Sequence, residues 1–149
     1  MGNNFDGGCE MKRLKKWRYY CDYCKKSGGS GGHIKRHEKS CTMNPNRVCG
    51  MCKHTDEEQP KMADMILILD AAIINNGQDD RGFEFWTIKN EKEALGALRR
   101  AANNCPACIL AALRQYKYPF LFGSFSFEAE KKSFWSDVNE SNRDCYDYY

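Results

Sequence analysis

Cys21-Asp22-Tyr23-Cys24 opens a stretch in which His37 follows after twelve residues and Cys41 after three more. Cys49-Gly50-Met51-Cys52 comes directly behind it, and Cys105-Pro106-Ala107-Cys108 repeats the same spacing far downstream. A Cys-x2-Cys pair lets a tight turn aim two sulfurs at one tetrahedral ion. His37 and Cys41 stand four positions apart, which on a helix puts both donors on one face. The pattern predicts two structural zinc ions as cofactors, one held by Cys21, Cys24, His37 and Cys41, the other by Cys49, Cys52, Cys105 and Cys108. His33, one helical turn before His37, is the alternative to Cys41 as fourth ligand; the twelve-residue interval is the usual finger spacing and speaks for Cys41.

The chain of 149 residues is 42% hydrophobic, enough for a modest core that metal would supplement. Its nine cysteines are odd in number and come mostly as close pairs, and no apolar leader follows Met1, which fits a reducing compartment better than a disulfide scaffold. The longest apolar run, Ala107 to Leu113, is far short of a membrane span, so no membrane partner is expected. Charge is divided along the chain: residues 1–53 hold 12 Lys or Arg against 4 Asp or Glu, and residues 54–149 hold 11 against 16. The basic half is the half with the His-x3-Cys motif.

These features predict a small α+β fold of two zinc-stapled units. Residues 1–11 read as a loose tail. Residues 12–44 form the first unit: a basic, aromatic strand from Lys12 to Tyr20, a knuckle, the flexible Ser27-to-Gly32 loop, and a helix from about His33 to Cys41. Residues 45–118 form the four-cysteine unit. Thr55 and Glu58 offer a capping box and Pro60 a first helical turn; Met62, Met65, Ile66, Leu69 and Ile73 mark the buried stripe, ending near Asn75-Asn76-Gly77. Phe83 to Ile88 is a strand, Asn90 starts a helix buried through Ala94, Leu95, Leu98, Ala101 and Ala102, and Cys105 and Cys108 sit at the N-terminus of another. A knuckle giving two ligands and a helix start giving two more predicts a treble-clef-like layout with helices in place of its hairpin. Residues 119–149 hold an extended segment, Phe120 to Phe127, a helix over 128–139 burying Phe134, Trp135 and Val138, and an acidic, aromatic tail.

Residues 17–41 resemble the two-cysteine, two-histidine zinc finger in its variant ending in cysteine. Ile34 falls where that family has a core leucine, but its core aromatic falls on Gly28, so the resemblance implies a mini-core that leans on the rest of the protein. The runs Asn44 to Cys52, Asn104 to Leu113 and Phe134 to Asn139 resemble small zinc proteins encoded by tailed bacteriophages. That resemblance brings no assigned activity. It implies a bacterial host, whose cytoplasm would hold the protein during expression, and a role as virion or assembly component or as DNA-associated factor.

Two catalytic patterns fall short. Zinc deaminases carry His-x-Glu and Pro-Cys-x2-Cys, whereas here His54-Thr55-Asp56 has aspartate at the proton-shuttling position and Pro106 lies inside the pair. A thioredoxin-like use of Cys105 and Cys108 leaves Cys49 and Cys52 without a purpose. The expectation is a non-enzymatic scaffold, with no small-molecule substrate, whose partners are protein subunits of a larger assembly. Its basic face (Lys12, Arg13, Lys15, Lys16) and acidic tail are the expected contacts. The alternative is a nucleic-acid-binding finger using Lys35, Arg36 and Lys39 with Trp17, Tyr19 and Tyr20 on DNA or RNA.

Overall fold

The computed structural model describes residues 11–118 and 122–144, so the tail over 1–10, the start of the extended segment at 119–121 and the acidic end from Cys145 onward lie outside the described residues. Among these it holds six helices and two antiparallel two-stranded sheets: β1 (Tyr19–Tyr20), β2 (Ser27–Gly28), α1 (Gly31–Ser40), α2 (Gly50–His54), α3 (Met62–Ala72), β3 (Ile73–Gln78), β4 (Glu84–Ile88), α4 (Glu91–Ala101), α5 (Pro106–Gln115) and α6 (Phe127–Asp144). This is the small α+β architecture expected. No helix among the described residues is long and apolar enough to cross a membrane.

In the N-terminal unit only two residues of the Lys12–Tyr20 run pair as strand, Tyr19 with Gly28 and Tyr20 with Ser27; residues 11–18 are irregular. The Ser27–Gly32 loop supplies both β2 and the start of α1, where Ser30 accepts a hydrogen bond from the His33 amide. Ile34 is buried with Cys21 and Cys41, and a Cβ added to Gly28 would stand 3.5 Å from Ile34 Cδ1. Gly28 thus lies beside the mini-core and gives it no side chain.

The larger core joins α3, α4 and α5. Met65, Leu69, Leu98, Ile109 and Ala112 are fully buried and pack in one cluster with Cys49, Cys52, Cys105 and Cys108. Ala94, Leu95, Leu98 and Ala102 form the buried face of α4, capped by Asn90; Ala101, expected there too, is exposed. Phe134, Trp135 and Val138 of α6 are half-buried, and α6 is pinned to α4 by the Arg99–Glu130 ion pair. Glu91 accepts from the Ser124 amide at 2.7 Å and hydroxyl at 2.6 Å, bonds that lower its carboxyl pKa and hold the segment before α6.

Three local expectations are corrected. Thr55 does not begin a helix: it ends α2, its hydroxyl bonded to the carbonyls of Met51 and Cys52, and α3 starts later, behind Lys61, with no side-chain cap. The α3 helix stops at Ala72, before Ile73, because Ile73 and Ile74 pair with Ile88 and Thr87 in a sheet that suits β-branched residues. And a hairpin is present between the two cysteine pairs, β3 to β4, its turn organised by Asp79 Oδ1 accepting from the Arg81 and Phe83 amides. Trp86 of β4 stacks on Tyr118 at 4.8 Å, with Lys117 over both rings, which fastens the hairpin to the chain beyond α5.

Candidate metal centres

The β1–β2 pairing closes the first knuckle, with the Cys21 amide bonded to the Lys26 carbonyl at 2.9 Å. The turn aims two backbone amides back at its sulfurs: Tyr23 N–H at Cys21 Sγ and Lys26 N–H at Cys24 Sγ, each 3.4 Å. Such donors favour thiolate over thiol; the Lys26 amide is the leading cause that lowers Cys24 to about 7, against the opposing effect of burial. From α1, His37 Nε2 comes to 3.2 Å from Cys24 Sγ. The donor atoms of Cys21, Cys24, His37 and Cys41 all lie within 4.8 Å of one another. His33 is outside that group and exposed.

In the second site Cys49 and Cys105 stand at the N-cap positions of α2 and α5, Cys49 accepting from the Cys52 amide, so each pair sits on a helix start, where the positive end of the helix favours thiolates. Cys49 Sγ is 3.5 Å from Cys105 Sγ and Cys52 Sγ is 3.5 Å from Cys108 Sγ, and all four residues are buried. A disulfide would need about 2.05 Å. Four sulfurs at about 2.3 Å from one tetrahedral ion stand about 3.8 Å apart, near the observed spacing. Both clusters therefore fit a metal ion by donor type and by geometry, and zinc is the ion this sulfur-rich tetrahedral chemistry favours.

The protonation pattern agrees. Hydrogen bonds from the Cys105 and Cys108 sulfurs hold Cys49 far below the ordinary thiol value, while burial lifts Cys52 to about 12 and the neighbouring Cys105 and Cys49 sulfurs push Cys108 higher still. Sulfurs this close share protons: one ionises readily, and each further negative charge is opposed by the last. A dication at the centre removes the conflict and lets all four ionise.

A four-thiolate zinc site retains a net charge of about −2. Arg47, 6% exposed, answers it from the linker between the two sites, with Nη1 at 3.8 Å from Cys108 Sγ and Nε donating to the Ser40 carbonyl. Gln59 locks the arrangement: its Oε1 accepts from the Cys49 amide at 2.6 Å and its Nε2 donates to the Arg47 carbonyl at 2.8 Å. Neither residue stands out in the sequence by motif; the available signal is a cation two residues before the first ligand of a buried, doubly negative site. Replacing Arg47 by methionine keeps an apolar stem and removes the charge. Competition against a chromophoric chelator should show the second site weakened by about 10- to 100-fold and the first unchanged.

Lys12, Arg13, Lys15, Lys16, Lys35, Arg36 and Lys39 are all exposed, the first four on the irregular segment and the last three on α1. His54 is not part of either ligand group; its ring meets Trp135 of α6 edge-on at 5.1 Å. Compared with known proteins, the chain matches no family model, no curated protein and no solved structure. Its geometry shows two ligand clusters, one within residues 21–41 and one that joins Cys49 and Cys52 to the distant Cys105 and Cys108.

Proposed function

We propose that this is a non-enzymatic, zinc-stabilised assembly module that makes protein–protein contacts, within a phage particle as the resemblance to small phage zinc proteins suggests. The observation that carries this reading is that each cluster offers four protein donors, which fills a tetrahedral ion and leaves no position for water or substrate. A treble-clef-like reading of the second site is supported by its element order, in which α2 and α5 carry the two cysteine pairs and the β3–β4 hairpin lies between them with α3 and α4.

The β3–β4 hairpin supplies a surface for such contacts. Phe83 and Phe85 are 68% and 53% exposed, an apolar pair that fits an apolar spot on a neighbouring subunit. The test is co-purification of tagged protein with its assembly after nuclease digestion. The double variant Phe83→Ser/Phe85→Ser should lose its partners while keeping its zinc and its circular dichroism. Retention in the assembly at the original level would overturn this reading.

A further inference from the structure

Between Lys12 and Lys39 the chain carries ten Lys or Arg residues against two acids, Asp22 and Glu38. All ten cations are exposed, and among the described residues none forms an ion pair. Glu38 is occupied in accepting from the Asp22 amide at 3.0 Å. The same stretch of chain shows its rings: Trp17 is 88% exposed, Tyr20 65% and Tyr23 43%. A finger lacking its core aromatic would be expected to draw one of these rings inward, yet among the described residues the mini-core consists of Ile34 and ligand cysteines. The aromatic side chains stay in solvent, interleaved with positive charge.

We propose that this face binds single-stranded nucleic acid, with the lysines and arginines on phosphates and Trp17 and Tyr20 stacked on unpaired bases. An acidic protein would satisfy the cations and leave the rings in water. Duplex DNA keeps its bases stacked on one another, out of reach of Trp17. The usual route of a finger into duplex, helix N-terminus first into the major groove, is also obstructed: the Tyr19 ring lies over the start of α1, so close that a Cβ on Gly31 would stand 3.0 Å from Tyr19 Cε1. The zinc site then serves to tether the irregular basic segment beside the α1 cations.

The experiment uses the full-length, zinc-loaded protein and fluorescein-labelled oligo-dT and oligo-rU of about 12 nucleotides, a length within the range that compact single-strand binders cover. A duplex of equal length, polyglutamate and vesicles containing phosphatidylserine are the competitors. Anisotropy between about 50 and 200 mM salt should show single-strand binding whose logarithm falls linearly with the logarithm of salt concentration. Trp17→Ala should weaken it by about tenfold with the salt slope unchanged, since it removes stacking and no charge. The double variant Lys15→Ala/Lys16→Ala should flatten the slope instead. Zinc content confirms that these exposed substitutions leave the fold intact. Absence of binding at the lowest salt, equal affinity for the duplex, equal competition by polyglutamate or vesicles, or indifference to Trp17→Ala would each overturn the proposal. Because the assembly test is read after nuclease digestion, the two can fail separately.

Discussion

Cys108→Ser should unfold the four-cysteine unit as a whole, whereas Cys41→Ala should release only the N-terminal unit. The asymmetry follows from where each sulfur sits. Cys49, Cys52, Cys105 and Cys108 belong to the same buried cluster as Met65, Leu69, Leu98 and Ile109, so their ion joins α2 to α5 across the chain that forms α3, the hairpin and α4. Structural zinc contributes about 10–16 kcal/mol of apparent binding energy, as much as the entire stability of about 5–15 kcal/mol expected of a domain. Losing a ligand also strands three buried sulfurs beside a buried guanidinium. Among the described residues the first site encloses, besides its ligands, Ile34, and its loss should leave the larger core in place; the units are joined through the linker, where Gln115 donates to the carbonyls of Thr42 and Asn44 at 2.7 and 3.1 Å. Hydrogen exchange of the two variants separates the cases: protection lost throughout α3, α4 and α5 for Cys108→Ser, and lost in residues 17–41 alone for Cys41→Ala. Global unfolding by Cys41→Ala with a silent Cys108→Ser would show the ligand grouping to be wrong.

Leu98→Ala should cost about 2–5 kcal/mol, because the side chain is fully buried and its truncation leaves a cavity between α4 and its neighbours. Leu67, 64% exposed on α3, is the control: Leu67→Ala should change stability by less than about 0.5 kcal/mol. Urea unfolding of both zinc-loaded variants measures the difference. Equal effects would mean that the α3–α4–α5 packing is not the core of the unit.

The metal clusters were legible in the sequence because their spacing is itself the chemistry: Cys-x2-Cys fits a turn around an ion, and His-x3-Cys fits a helix face. The buried stripes of α3 and α4 were legible for a similar reason, since Met65, Leu69, Leu95 and Leu98 recur at helical intervals. The hairpin was half hidden. Asn75-Asn76-Gly77 reads as a helix stop followed by a turn, yet Gly77, at φ +93°, lies within β3, beside an irregularity between Asn75 and Gln78, and the turn is made further on at Asp79 to Gly82. Local composition does not say that Ile73 and Ile74 have strand partners fifteen and thirteen residues ahead, at Ile88 and Thr87. The capping pattern at Thr55 failed because its hydroxyl serves the end of α2, and the next helix begins only behind Lys61. Arg47 and Gln59 were invisible for a different reason: their role depends on a charge that exists only once four distant sulfurs have met.

The account rests on two metal ions per chain, and native mass spectrometry of protein purified without added metal tests that most directly. The mass should exceed that of the reduced chain by two zinc ions less the protons they displace, and stepwise acidification should remove both. A single zinc, a metal-free chain with intact fold, or a mass lowered by disulfide formation among these cysteines would contradict it.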